Sequence, residues 1–269
     1  MDTRQRRPSG QTILGIDIGG TGIKGAPVDA ASGHLAMDRL RIPTPQPATP
    51  RAVVDVVAQV VAAFPTVTGP VGVTFPAVVR SGVVASAANI DPTWIGVDAA
   101  ELLRDRLGRA VVVLNDADAA GIAEMAYGVG RDRIGVVVMV TFGTGIGTAL
   151  FLDGSLVPNT ELGHIIVAGK DGERLAAASV KTRKQLTWKA WAKRVNAYLA
   201  RLDSLISPDL VIIGGGVSKD HAKFLPLLES RAEVVPARLF NEAGIVGAAA
   251  AVAIATSSQG ARRSSRKPG

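Results

Sequence analysis

The tetrapeptide Gly-Thr-Gly-Ile occurs twice, at residues 20–23 and 143–146, and each copy joins two apolar runs: "TILGIDIGG" to "TGIKGAPV", and "GVVVMVTFG" to "IGTALFLDG". Apolar runs broken by a glycine turn read as β-hairpins. Each hairpin is followed by alternating helical and strand patterns. In the first half these are a third strand at "HLAMDRLRI", the proline-rich connector "PTPQPATP" and the helix "RAVVDVVAQVVAAF". The buried strand "VGVTF", the helix "DAAELLRDRLG" closed by Gly108, the buried strand "AVVVLND" and the helix "ADAAGIAEMAYG" complete it. The second half adds a third strand near "GHIIVAG", a long helix capped by Thr187, the strand "DLVIIGGG" and a last helix "NEAGIVGAAAAVAIA". Such a repeat predicts a duplicated α/β domain. The expected boundaries are 11–115, joined by a C-terminal helix at 241–256, and 116–240, with flexible basic tails at 1–10 and 257–269.

A chain of 269 residues that is 47% apolar is long enough for one large core or two ordinary ones. It has no cysteine, which excludes disulfides, iron–sulfur clusters and thiolate zinc sites. The start "MDTRQRRPSG" has no apolar run behind it that reads as a signal peptide, and the apolar tract Ile245–Ala255 is about half of a membrane span. A soluble cytoplasmic protein with no membrane partner is expected. The net charge of +7 sits largely at the two ends, which carry Arg4, Arg6, Arg7, Arg262, Arg263, Arg266 and Lys267. Solvated tails explain that charge, and no specific nucleic-acid partner is expected. Between the ends one basic strip stands out: Lys170, Arg174, Lys181, Arg183, Lys184, Lys189, Lys193 and Arg194, against Asp171 and Glu173.

Gly20-x-Gly22-x-x-Gly25 matches a dinucleotide fingerprint, but that motif opens a helix, and Gly25 and Pro27 lie where the helix interior would be. A hairpin turn fits better, and no Walker sequence is present. A glycine-rich turn offers backbone N–H groups in a concave array that a phosphate can approach closely. Gly19, Gly20, Thr21 and Gly22 form one candidate cradle, and Thr141, Gly143, Thr144 and Gly145 the other. Lys24 adds a cation, and Asp17 a carboxylate suited to Mg²⁺ through water. Either turn alone reads as an ordinary hairpin; the matched pair points to a phosphate chain.

Asn115-Asp116 ends a buried strand and starts a helix, where either residue serves as a cap or projects into a ligand site. Glu161 and His164 in "ELGH" read alone as a loop carboxylate and a satisfied histidine. Gly214-Gly215-Gly216 followed by Val217 and Ser218 reads as a strand-to-helix turn with a serine cap. In "VKTRK", Lys181, Arg183 and Lys184 place three cations in a loop ahead of the Thr187 cap, a pattern suited to a long polyanion. Lys189 and Lys193 read as a solvated helix face.

Taken together, "DIGGTGIKG", "NDADAAGIAE", "TFGTGIG", "ELGH" and "DLVIIGGGVS" resemble the sugar kinases of the ROK (repressor, open reading frame, kinase) family over residues 11–256. "GKDGERLAAAS", "LTWKAWAKRVNAYL" and "SPDLVIIGGGVSK" resemble its narrower group of polyphosphate-dependent glucokinases. The resemblance implies an α/β fold of two ribonuclease H-like domains of the actin/Hsp70/hexokinase superfamily, facing across a cleft. It implies phosphoryl transfer from polyphosphate and from ATP, with Mg²⁺, to the 6-hydroxyl of glucose; mannose stays open as a second acceptor, and an ATP-only hexose kinase is the alternative. It makes Asp116 the general base, and Asn89, Asn115, Glu161 and His164 sugar contacts. The Gly214–Gly216 turn would bind adenosine, and a homodimer is implied. In the family the histidine also joins three cysteines around zinc; without cysteine that site cannot form here, leaving His164 to the sugar. A ROK repressor is set aside, because the few residues ahead of the first turn are too short for a helix-turn-helix domain.

Overall fold

The structure, a computed structural model, describes residues 11–87 and 90–264. Asn89 and the segments 1–10 and 265–269 lie outside the described residues. The chain divides into two compact units, residues up to Ala119 with Gly244 onward, and Ala120–Ala243.

The first unit opens with β1 (Thr12–Gly19), β2 (Gly22–Asp29) and β3 (Leu40–Ile42). Next come α1 (Pro50–Ala62), β4 (Val71–Phe75), a short hairpin of β5 (Val79–Arg80) and β6 (Val83–Val84), α2 (Ala99–Leu107) and β7 (Val111–Asn115). Its main sheet has the order β3-β2-β1-β4-β7. The first three strands run antiparallel, and β4 and β7 run parallel to β1. α3 (Asp116–Tyr127) carries the chain into the second unit.

There β8 (Val136–Phe142), β9 (Ile146–Leu152) and β10 (Ser155–Val157) repeat the antiparallel opening. A small hairpin of β11 (Ile166–Val167) and β12 (Lys170–Asp171) follows, then α4 (Gly172–Ala176), α5 (Ala178–Arg183), α6 (Trp188–Ile206), β13 (Leu210–Gly214) and β14 (Glu233–Pro236). The second sheet has the order β10-β9-β8-β13-β14, with β13 parallel to β8 and β14 parallel to β13. Strand for strand this is the topology of the first sheet, so the repeated tetrapeptide marks a repeated architecture.

The chain returns to the first unit through α7 (Ala243–Ser264), whose buried Ile245, Val246, Ala248 and Ala249 make it a core helix. The stretch Phe240–Ser257 is long and apolar enough to pass for a membrane span, yet the helix lies directly on the sheet. A Cβ at Gly15 of β1 would fall 2.0 Å from the Ile245 carbonyl oxygen, and one at Gly72 of β4 would fall 1.9 Å from that of Ala248. In both cases the Cβ position is fixed by its own backbone and the atom it meets is backbone, so no rotamer change could relieve the contact. Gly247 brings α7 equally close to α3, at the Ala119 carbonyl.

Several sequence expectations need correction. The third strand of the second half is β10, not the segment at "GHIIVAG", which folds back as the β11–β12 hairpin. β3 is confined to Leu40–Ile42; Leu35 makes only an isolated bridge to Val28. In "AVVVLND" residues 111–114 are half-buried and only Asn115 is buried, because β7 is the sheet's edge. α7 continues to Ser264, past the point where a flexible tail was expected from residue 257.

Candidate functional site

In parallel strands side chains at the carboxyl ends gather along one edge of the sheet, and ligands are bound there in open α/β sheets. In the first unit that edge carries Asp17, paired in register with Thr74, while Phe75 pairs with Asn115. Thr74 Oγ1 donates to Asp17 Oδ1 at 2.9 Å, and Lys24, cross-strand from Asp17, donates to its Oδ2 at 3.1 Å. The expected phosphate cation is therefore already paired with the expected metal-side carboxylate. The β1–β2 turn leaves Gly20 and Thr21 exposed, and the Thr44 hydroxyl donates to the Gly19 carbonyl at 2.5 Å. Beside the turn lies a cavity of about 260 Å³, lined by Gly19, Gly20, Thr44, Gln46, Pro76 and Asp91 among others.

Asn115 and Asp116 divide their work at the next corner. Asn115 is buried and is the cap: its Oδ1 accepts from the N–H groups of Ala117 (2.8 Å) and Asp118 (3.1 Å), and its Nδ2 donates to the Ala77 carbonyl at 3.1 Å. Asp116 is the first residue of α3 and is exposed, with Oδ1 accepting from the Ala117 N–H at 2.9 Å. Asp118, two positions on, is 2% exposed. Of these two carboxylates Asp116 is the exposed one.

The second unit brings two of the predicted loops together. Gly214 pairs in register with Thr141, so the β8–β9 turn and the glycines after β13 share one sheet end. Gly215 has φ +82°, and a Cβ there would meet the Phe142 backbone at 2.4 Å. Gly216 has open space around it; Ser218 is not the cap expected from the sequence, because Gly215 holds the cap position and the Ser218 hydroxyl, inside the 3₁₀ turn, donates back to the Gly215 carbonyl at 2.7 Å. The Gly143–Gly145 turn is held from behind by residues that the sequence did not single out. Ser179 donates its N–H to the Gly143 carbonyl (3.0 Å) and its hydroxyl to that of Thr144 (2.6 Å). Glu173 accepts the Ile146 N–H at 3.0 Å, and its carboxylate occupies the place a Cβ on Gly145 would need.

Glu161 and His164 bracket a 3₁₀ turn packed beside the same strand, with Gly163 against the Ile146 carbonyl. Thr148 accepts the Leu162 N–H at 3.1 Å, and Tyr198 of α6 donates its hydroxyl to the Leu162 carbonyl at 3.2 Å. His164 Nε2 lies 4.0 Å from Glu161, and Nδ1 lies 2.9 Å from Asp171 Oδ2. Asp171 also caps α4, accepting the Arg174 N–H. Burial pushes the Glu161 carboxyl upward, with Glu173 adding to the shift and His164 opposing it. His164 is raised, chiefly by its Asp171 hydrogen bond, against some desolvation. For Asp171 burial pulls upward, but the His164 and Arg174 contacts outweigh it and the carboxyl is lowered. His164 thus keeps its proton to higher pH than the ordinary 6.5. In Asp171→Asn the His164 ring, followed by its NMR shifts, is expected to titrate at lower pH; an unchanged midpoint would remove Asp171 as its holder.

Lys181, Arg183 and Lys184 do not form a loop. Lys181 and Arg183 are in α5, Lys184 ends that helix, and the Lys181 ammonium lies 3.9 Å from the Trp188 ring centroid. Trp188 in turn stacks on Phe224 at 5.6 Å, while Trp191 is fully buried and donates to the Ala176 carbonyl at 2.8 Å. One tryptophan thus anchors the segment after His164, and the other holds a lysine at the surface.

Residues 13–179 match the model of the ROK family. The chain is 53% identical over 239 residues to the polyphosphate glucokinase of Mycobacterium tuberculosis, covering 88% of this chain and 90% of that protein. It is 50% identical to the polyphosphate glucokinase of Mycobacterium leprae, over 88% of this chain and 74% of that one. Among solved structures it superposes on an inorganic polyphosphate/ATP-glucomannokinase from an Arthrobacter strain with a TM-score of 0.86 and 50% identity, covering 90% and 98% of the two chains. A ROK glucokinase from Streptomyces griseus in complex with glucose and AMPPNP gives a TM-score of 0.74 at 27% identity, covering 88% and 98%.

Proposed function

The chain belongs to the ROK family of sugar kinases, and from that premise we propose that it transfers a phosphoryl group from polyphosphate, and from ATP, to the 6-hydroxyl of glucose. The observation that carries the reading is the placement of both glycine turns, each at the carboxyl edge of its own unit's sheet and each braced by a side chain while its threonine, Thr21 or Thr144, stays exposed. Phosphoryl transfer asks for positioning and charge stabilisation more than covalent chemistry, so backbone cradles, a base and cations are the parts required.

In this reading Asp116 accepts the proton of the 6-hydroxyl as the hydroxyl oxygen attacks the terminal phosphorus, and the bond from that phosphorus to the bridging oxygen breaks, releasing the shortened polyphosphate or ADP. Asn115, committed to its cap, contributes to the sugar through its remaining amide proton. Glu161 and the Asp171-held His164 bind sugar hydroxyls, the first as acceptor and the second as donor. Asn89 belongs to the same proposal by resemblance alone. Thr21 and Thr144, with the N–H groups of their turns, hold donor phosphates, and Gly214–Gly216 lets an adenine approach the backbone when ATP is the donor. Lys181, Arg183 and Lys184 offer distributed charge to a long polyphosphate.

Mg²⁺ fits Asp17 through a water: each carboxylate oxygen accepts one hydrogen bond, from Thr74 or Lys24, and keeps a lone pair, and Mg²⁺ commonly uses one carboxylate plus substrate phosphates. When bound it would offset phosphate charge. Mannose as a second acceptor and a cytoplasmic homodimer belong to the same proposal. Purified long-chain polyphosphate without nucleotide is expected to yield glucose 6-phosphate, as is ATP alone. Product from ATP only would leave an ATP-only hexose kinase.

A further inference from the structure

We propose that Arg41, on β3, is a donor-phosphate-binding residue of the first glycine turn. The inference rests on the reading of that turn as a phosphate cradle and supplies a cation the cradle otherwise lacks. Lys24 is neutralised by Asp17 at 3.1 Å, so the hairpin's own lysine and carboxylate add no net charge. Arg41 sits cross-strand from Lys24 in the β2–β3 register and lies over the turn. Its Nη2 donates to the Thr21 carbonyl at 2.8 Å, and its guanidinium covers Gly22 so closely that a Cβ there would fall 2.6 Å from Nε and 2.8 Å from Cζ.

The side chain is exposed, and among the described residues no carboxylate pairs with it. A guanidinium has five N–H donors in a planar fork that matches phosphate oxygens. One donor is committed to Thr21. That bond fixes the plane beside the turn, so little side-chain entropy remains to be lost when a phosphate arrives. Thr44, Gln46, Pro47 and Ala48, in the segment that follows β3, line the neighbouring cavity together with Gly19 and Gly20 of the turn that Arg41 contacts. The ligand class is a condensed phosphate, either the polyphosphate chain or the terminal phosphates of a nucleotide.

Arg41→Gln keeps a polar amide and loses the charge; Arg41→Lys keeps the charge and loses the planar fork. KM for polyphosphate, ATP and glucose would be measured for both variants at low and high salt, after thermal melting has shown them folded. Arg41→Gln is expected to raise donor KM about 10-fold at low salt and less at high salt, with glucose KM within about twofold, and Arg41→Lys to recover much of the loss. An effect on one donor alone names which phosphate source the guanidinium contacts. Unchanged donor KM in Arg41→Gln, or donor and glucose KM rising together without salt dependence, would overturn the proposal.

Thr21→Glu, which puts an anion into the turn itself, separates this inference from the reading beneath it. If Thr21→Glu weakens donor binding and Arg41→Gln does not, only the role of Arg41 fails. If neither does, the turn is not the donor site.

Discussion

Asp116→Asn is expected to lower kcat by at least about 1,000-fold while leaving glucose affinity within a few-fold, the signature of losing a proton acceptor without losing a binding contact. The structure makes this substitution clean. Asp116 is exposed at the first position of α3, and the helix is capped by Asn115, so an amide at 116 leaves the capping hydrogen bonds in place. Steady-state kinetics and calorimetric glucose binding on the same preparation would check it. Retention of more than about a tenth of kcat would exclude Asp116 as the base. Asp118→Asn is the matched control: that carboxyl is buried, so its replacement is expected to act on melting temperature more than on chemistry.

The second large effect concerns packing rather than chemistry. Gly72→Ala drives a methyl to within 1.9 Å of the Ala248 carbonyl oxygen, a backbone atom that no rotamer change can move aside. Overpacking of this kind costs about 3 kcal/mol or more, a large part of a typical domain's total stability. A fall in melting temperature of about 10 °C is expected by calorimetry. Gly69→Ala, three residues away, has nothing within 4 Å of the added carbon and should melt close to the unaltered protein. Equal behaviour of the two variants would show that α7 is not seated on the sheet as described.

The architecture was legible because the pattern is repeated: two glycine hairpins followed by the same succession of strands and helices specify two sheets of one topology. Gly108 at φ +63° and Thr187, accepting the Ala190 N–H, ended and began their helices where local chemistry said they should. The misplaced pieces were short. Two-residue strands such as β11 and β12 carry too little period to be told from the three-residue β10, and tertiary pairing decides between them. "VKTRK" looked like a loop because charges crowd it, but the buried Val180 anchors it as a helix.

In the site, residue types were visible and partnerships were not. Nothing in spacing tells that Lys24 answers to Asp17, that Asn115 spends its oxygen on a cap, or that Arg41 reaches from β3 to the Thr21 carbonyl in the neighbouring turn. Asp171 and Glu173 passed for minor exceptions in a basic strip. Only the fold shows one holding His164 and the other standing behind Gly145. A signal was available: an acidic pair surviving within so many lysines and arginines has to be doing something local.

The excursion of α7 back to the first unit has a consequence for how the molecule is made. A ribosome delivers residues in order, so the whole stretch Ala120–Ala243 is synthesised before the helix that roofs β1 and β4. Until then Gly15 and Gly72 face open water, and the half of the protein translated first is the half that has to wait.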